Sequence, residues 1–197
     1  MKVALTGASS TGKTTLIDRV LRLPSWPAEL RRFLTADARS LLAELGHHGM
    51  DVMKPDETRS FQQAYFLRKR TIERDVVSFI TDRSFVDVAA YWAVRDTAGM
   101  GQDERDELVT QCRQEAAKYD LHVYLPFGSI PFVSDGYRPT DLELHKAIDL
   151  QIRAFLDKWG LRYRVLETAD LDERVDLLTN CTFREVIGGW RKLWGRE

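Results

Sequence analysis

The chain has 197 residues, 44% of them apolar and 30% charged, and a net charge of −1 at pH 7. That length can bury a substantial core within one domain, and the near-neutral balance excludes a global attraction to nucleic acid or anionic membrane. No apolar stretch approaches the roughly 20 residues of a membrane helix, Cys112 and Cys181 match no metal spacing, and the opening MKVALTGASS reads as strand into loop rather than as a signal sequence; a cytoplasmic protein is expected.

In chain order, the first element is a strand, Val3 to Thr6, which runs into Gly7-Ala8-Ser9-Ser10-Thr11-Gly12-Lys13-Thr14. The string satisfies G-x-x-x-x-G-K-[ST] at each fixed position. Leu16-Ile17 and Val20-Leu21 follow at helical spacing, completing the strand–loop–helix setting of a phosphate-binding P-loop. Gly7 and Gly12 let the backbone curl so that its N–H groups converge on phosphate oxygens, and the helix dipole adds positive potential. Lys13 then serves the β- and γ-phosphates and Thr14 places its hydroxyl on Mg²⁺. Ser9, Ser10, Thr11 and Thr15 complete the nucleotide-binding loop, with ATP and Mg²⁺ as the expected cofactors.

Further strands are expected at Arg32 to Thr35, Val76 to Thr81, Leu121 to Leu125 and Tyr163 to Leu166. Between them, Phe61, Ala64, Tyr65 and Ile72 mark one helical face, and Leu144, Ile148, Ile152, Phe155 and Trp159 mark a clearer one. Strands separated by helices predict a mostly parallel sheet covered on both faces, a three-layer α/β/α domain spanning residues 1–197. Arg68, Lys69, Arg70 and Arg74 read as a solvated basic face. Val175, Leu178, Val186, Ile187, Trp190 and Trp194 fall at helical intervals, to pack on the sheet or to serve a homodimer contact.

Three stretches are ambiguous in their chemistry. In ITDRSFVDVAAYW, Asp82 falls where a strand ends, the place where ligand sites gather in parallel sheets. Ser84-Phe85-Val86-Asp87 is close to a helix capping box, which accounts for Ser84 and Asp87 but leaves Asp82 and Arg83 unexplained. Asp96-Thr97-Ala98-Gly99 spells the D-x-x-G of small GTPases, yet it follows a helix-like segment. The only asparagine, Asn180, belongs to no N-K-x-D, so DTAG reads as a helix exit. In Asp135-Gly136-Tyr137-Arg138 the DG pair is a turn signal, and Arg138 is either solvated or turned to phosphate.

Taken together, LTGASSTGKTTL, DARSLLAELG, SFQQAYFLRKR, TDRSFVDVAAYW, YDLHVYLPF and DGYRPTD resemble the AAA-like, NadR-type branch of P-loop kinases and ATPases, which includes nicotinamide riboside kinase domains. A more distant resemblance is to deoxynucleoside kinases, which carry an acidic-Arg-Ser motif after the corresponding strand. This likeness implies that Asp82 is a base or Mg²⁺-associated carboxylate and Arg83 a phosphate contact. It makes Gln62 or Gln63 the base-reading glutamine and places Asp37 near the acid that follows the second strand. It also implies a lid over about residues 128–141, with Arg138 over the transferred phosphate and Asp135 beside it. The implied function is an ATP- and Mg²⁺-dependent kinase acting on a hydroxyl of a nucleoside- or nucleotide-like small molecule. Two alternatives stand at this stage: a kinase acting on a hydroxyl in nucleic acid, such as a hydroxymethylated base in DNA, and a nucleotide-binding regulatory ATPase or GTPase module.

Overall fold

The computed structural model describes residues 1–50, 52–95, 101–133 and 140–194, with side chains described as far as residue 187. Its elements are β1 (Lys2–Thr6), α1 (Lys13–Leu21), a 3₁₀ turn (Ala28–Leu30), β2 (Phe33–Leu34), α2 (Ala38–Glu44), α3 (Pro55–Glu73), β3 (Phe79–Asp82) and α4 (Phe85–Val94). There follow α5 (Gln102–Ala116), β4 (Leu121–Tyr124), α6 (Leu142–Lys158), β5 (Tyr163–Val165) and α7 (Leu171–Trp194). The strands form one parallel sheet in the order β2-β3-β1-β4-β5.

Alternation along the strands divides the core between the two faces of this sheet. Val3, Leu5, Ile80, Leu121 and Val123 pack against Leu16, Ile17 and Val20 of α1 and Val175 and Leu178 of α7. Ala4, Phe79 and Tyr124 point the other way, into a larger cluster built from α3, α4, α5 and α6. This is the three-layer α/β/α arrangement expected from the alternating strands and helices. The face of α6 follows its sequence pattern, with Ile148, Ile152 and Phe155 buried and Leu144 and Trp159 at its margins.

Strand β3 begins three residues later than the apolar run suggests. Val76 instead closes the exit from α3, its N–H donating to the Glu73 carbonyl, while Val77 is 81% exposed. The shift makes Asp82 the last residue of the strand, in register with Leu5 of β1. A second correction concerns the basic run on α3. Lys69 is completely buried and paired with Glu73 at 2.6 Å, because the helix turns this one cation toward the sheet. In α7, Ile187 is 53% exposed; the side chains of Trp190 and Trp194, like residues 96–99, lie outside the described residues. Among the described residues, no helix is long and apolar enough to cross a membrane.

Candidate active site

The P-loop leaves β1 at the centre of the sheet. A Cβ at Gly7 would run into the Leu125 carbonyl of the neighbouring strand's exit, so this position needs glycine for close approach. Gly12 has φ +83°, a left-handed conformation, and serves as the N-cap of α1, accepting the Leu16 N–H through its carbonyl. Lys13 is buried inside the loop. Its Nζ donates to the carbonyls of Gly7 and Ala8 at 2.8 and 2.7 Å and to Thr11 Oγ1 at 3.1 Å. Burial, and then repulsion from Arg83, holds this amine below the ordinary lysine range. The ammonium is thus kept within the curl of the loop by weak neutral acceptors that phosphate oxygens can replace.

At the mouth of the loop, Thr14 Oγ1 donates to Asp82 Oδ2 at 2.6 Å. The other carboxylate oxygen, Oδ1, is buried and has no hydrogen-bond partner among the described residues. A hydroxyl and a carboxylate converging beside a P-loop form an oxygen-only donor set of the kind Mg²⁺ takes, with phosphate and water supplying the remaining ligands. The orphaned Oδ1 fits that cation.

Arg83 follows directly, with φ +69°, a conformation costly for a residue bearing a Cβ. This turn places its guanidinium 4.7 Å from the centre of the Tyr91 ring and lets Nη2 donate to Ser9 Oγ at 3.1 Å. Burial opposes its charge, but Tyr91, Tyr65, Asp87 and Asp82 together keep its pKa above the ordinary arginine value. The Tyr91 hydroxyl pairs with the same Ser9 Oγ at 2.8 Å. Burial would raise the Tyr91 phenol, yet Arg83 and the Ser9 hydrogen bond bring it below the usual tyrosine range.

A cavity of about 550 Å³ takes in the P-loop, Ser9 to Thr15, and continues between α3, α4 and the start of α2. Phe61, Tyr65 and Tyr91 give it aromatic walls, with Asp82 and Arg83 at the P-loop end.

The family model described as an AAA domain, AAA_28, matches residues 2–174. The chain belongs to this AAA-domain family. Among solved structures, NadR in complex with NR is similar at TM-score 0.58 and 19% identity, covering 85% of this chain and 46% of NadR; the chain therefore spans less than half the length of that protein. Deoxyadenosine kinase from M. mycoides, with dCMP and a flexible dCDP bound as products, is similar at TM-score 0.62 and 13% identity, covering 93% of this chain and 99% of the kinase. The same enzyme with bound dATP gives TM-score 0.54 and 13% identity, with 92% and 99% covered. At these identities the likeness is one of fold. A comparison with curated proteins finds no match.

Within this AAA-family domain the two adjacent glutamines separate. Gln62 is 3% exposed and lines the cavity, its Nε2 buried and without a hydrogen-bond partner among the described residues. Gln63 is not among the cavity-lining residues; its Nε2 donates to Glu104 of α5 at 3.1 Å, which leaves Gln62 as the glutamine that meets the cavity. Asp37 stands at the cavity rim but caps α2, accepting the Arg39 and Ser40 N–H groups. The Ser40 hydroxyl bond, foremost, holds its carboxyl below the usual range. Asp135 and Arg138 lie outside the described residues. Tyr91 had no signal of its own in the sequence, because in VDVAAYW an aromatic at helical spacing reads as core.

Proposed function

We propose that this AAA-family protein is an ATP- and Mg²⁺-dependent kinase that transfers the γ-phosphoryl group to a hydroxyl of a nucleoside- or nucleotide-like acceptor. The observation that carries the reading is the position of Asp82. It bonds Thr14 at the mouth of the P-loop and also lines an aromatic cavity shared with Gln62, whose Nε2 has no hydrogen-bond partner among the described residues. A nucleotide held by the P-loop presents its terminal phosphate to that junction, and an acceptor in the cavity presents a hydroxyl from the other side.

The division of labour follows from the side chains. Lys13 and the loop N–H groups hold the phosphates. Thr14 and Asp82 would hold Mg²⁺, which supplies charge neutralisation on the β- and γ-phosphates. Asp82 also orients the acceptor hydroxyl or takes its proton, and Arg83 steadies charge beside Ser9. Phe61 and Tyr65 offer aromatic surface to a planar base, Tyr91 holding the Arg83 guanidinium over its ring, and the Gln62 amide offers hydrogen bonds to the edge of the base. The 550 Å³ cavity is continuous from the P-loop to these aromatic residues, so it offers room for a nucleotide's phosphates and a small acceptor side by side. The resemblance to deoxynucleoside kinases implies a lid over about residues 128–141, with Arg138 as its phosphate-directed arginine. The likeness of fold to NadR in complex with NR, and to deoxyadenosine kinase with dCMP and dCDP or with dATP, supports an acceptor of this class.

The deciding experiment incubates the protein with γ-labelled ATP, Mg²⁺ and separate nucleosides, nucleoside monophosphates, nicotinamide riboside and hydroxymethylated DNA. Label should pass to a nucleoside or nucleotide acceptor, and chelation should abolish the transfer. Label on DNA alone, or ATP hydrolysis with no acceptor labelled, would overturn the proposal.

A further inference from the structure

Arg174 lies four residues into α7, against the outer side of the P-loop, and is 2% exposed. Its Nη1 donates to the Thr11 carbonyl at 2.8 Å and its Nε to the Thr168 carbonyl. Nη2 is buried and has no hydrogen-bond partner among the described residues. Burial alone pushes its pKa down, with no carboxylate acting to raise it. A buried cation that lacks an ion-pair partner is expensive to keep. Neutral leucine or methionine would fill such a space between a helix and a loop more cheaply.

What the guanidinium does follows from peptide geometry. In a trans peptide the C=O and the following N–H point in opposite directions. A Thr11 carbonyl drawn outward to Arg174 therefore turns the Gly12 N–H inward, to the concave side of the loop. The contact is close enough to hold this orientation. A Cβ at Gly12 would lie 3.0 Å from Arg174 Nη1 and 3.2 Å from Ile130 Cδ1, so the guanidinium and Ile130 close over the face of Gly12 that a side chain would occupy.

We propose that Arg174 is a positioning residue of the phosphate site, which fixes the Thr11–Gly12 peptide so that the Gly12 N–H faces the phosphate chain of a bound nucleotide. Its charge, poorly screened behind a single layer of backbone, adds to the attraction. The inference rests on the P-loop reading above. Because Thr168 shares the same guanidinium, the β5–α7 connection and the P-loop are held as one unit.

The test measures binding of ATP and of inorganic tripolyphosphate to wild type, Arg174→Lys and Arg174→Gln, each checked for folding by circular dichroism. Both ligands should bind the Gln variant about 10-fold or more weakly, the loss expected for a charged hydrogen bond. Arg174→Lys, which keeps charge but only one donor centre, should fall between. Added guanidinium ion should restore part of the loss in Arg174→Gln. Equal binding by wild type and folded variants would overturn the inference, as would a loss confined to ATP with tripolyphosphate unaffected. A second measurement needs no variant: the Gly12 amide resonance of wild type should shift when tripolyphosphate binds, and an unmoved resonance would overturn the inference. Failure of wild type to bind either ligand would instead remove the P-loop reading, and this inference with it.

Discussion

Asp87 Oδ1 accepts the Gly7 N–H at 2.9 Å, so the carboxylate that starts α4 also holds the entry of the P-loop. Its Oδ2 accepts the Ser84 N–H at 2.7 Å and the Ser84 hydroxyl at 3.0 Å. Ser84 Oγ in turn takes the Thr6 hydroxyl at 2.8 Å and the Val86 N–H at 3.0 Å. One buried node therefore joins β1, the loop and α4. Asp87→Asn must place an NH₂ against a donor on one side or the other, and it removes the carboxylate 3.9 Å from Arg83 Nη1. It should lose about 2–4 kcal/mol of stability and weaken ATP binding in the folded protein. Ser84→Ala should lose only about 1 kcal/mol and leave ATP binding near wild type. Denaturant unfolding and nucleotide titration check both; equal, purely structural losses would confine Asp87 to capping.

Asp82→Asn tests the chemistry at the loop mouth. Asparagine can still accept from Thr14, so the fold and metal-free nucleotide binding should survive. Phosphoryl transfer should fall by roughly 10²-fold or more if Asp82 is the general base. The companion Lys13→Ala should lose about 10²–10³-fold through removal of a charge-stabilising donor, with its defect in nucleotide binding as well. Steady-state kinetics beside direct ATP titration separates the two. Wild-type turnover in Asp82→Asn would leave the carboxylate only as a partner of Thr14.

Much of this site could be read from the string. The P-loop has fixed spacing, and alternation of apolar runs with helical patterns defines the sheet that carries it. The end of β3 was within a residue, because Thr81 and Asp82 stand at the edge of an apolar run. What stayed hidden depends on tertiary placement. Gln62 and Gln63 are neighbours in sequence but about 100° apart around a helix, and only the packing of α3 decides which one meets the cavity. Arg174 lies more than 150 residues from Thr11, where no local pattern announces a contact. Lys69 sits in LRKR, a string that resembles a solvated face until Glu73 and Tyr119 are seen behind it.

His122 makes acid sensitivity a property of the sheet core. On β4 and 1% exposed, it donates from Nε2 to the Ala116 carbonyl at 3.1 Å and packs edge-on to Tyr119. Burial holds its pKa down, from 6.5 to about 4. Between those values the unfolded chain takes up a proton that the folded chain refuses. Stability is thus fully present above pH 6.5 and is lost as the pH falls toward 4, by about 3 kcal/mol at the acid end. Thermal unfolding followed from neutral pH down to about pH 5 should show a falling midpoint. His122→Leu should flatten that slope, whatever its effect at neutral pH. An unchanged slope would place the acid sensitivity elsewhere.

The buried pair beneath β3 supplies the sharpest stability test. Lys69 Nζ donates to Glu73 Oε1 at 2.6 Å and to Thr81 Oγ1 at 3.1 Å, while Glu73 Oε2 accepts the Tyr119 hydroxyl at 2.7 Å. Each charge is tolerated because the other is present. Lys69→Met strands a carboxylate in the core and should destabilise by about 3–5 kcal/mol. Adding Glu73→Leu removes that charge and should recover a large part of the loss, although Tyr119 then needs a new acceptor. The double-mutant cycle should therefore be strongly non-additive, read by denaturant unfolding with both single variants alongside. Because Thr81 precedes Asp82 on the same strand, transfer activity in the folded single variants measures how far this pair also steadies the carboxylate at the loop mouth. Additive losses would mean that the two charges are accommodated independently, against the geometry of a shared hydrogen-bonded cluster.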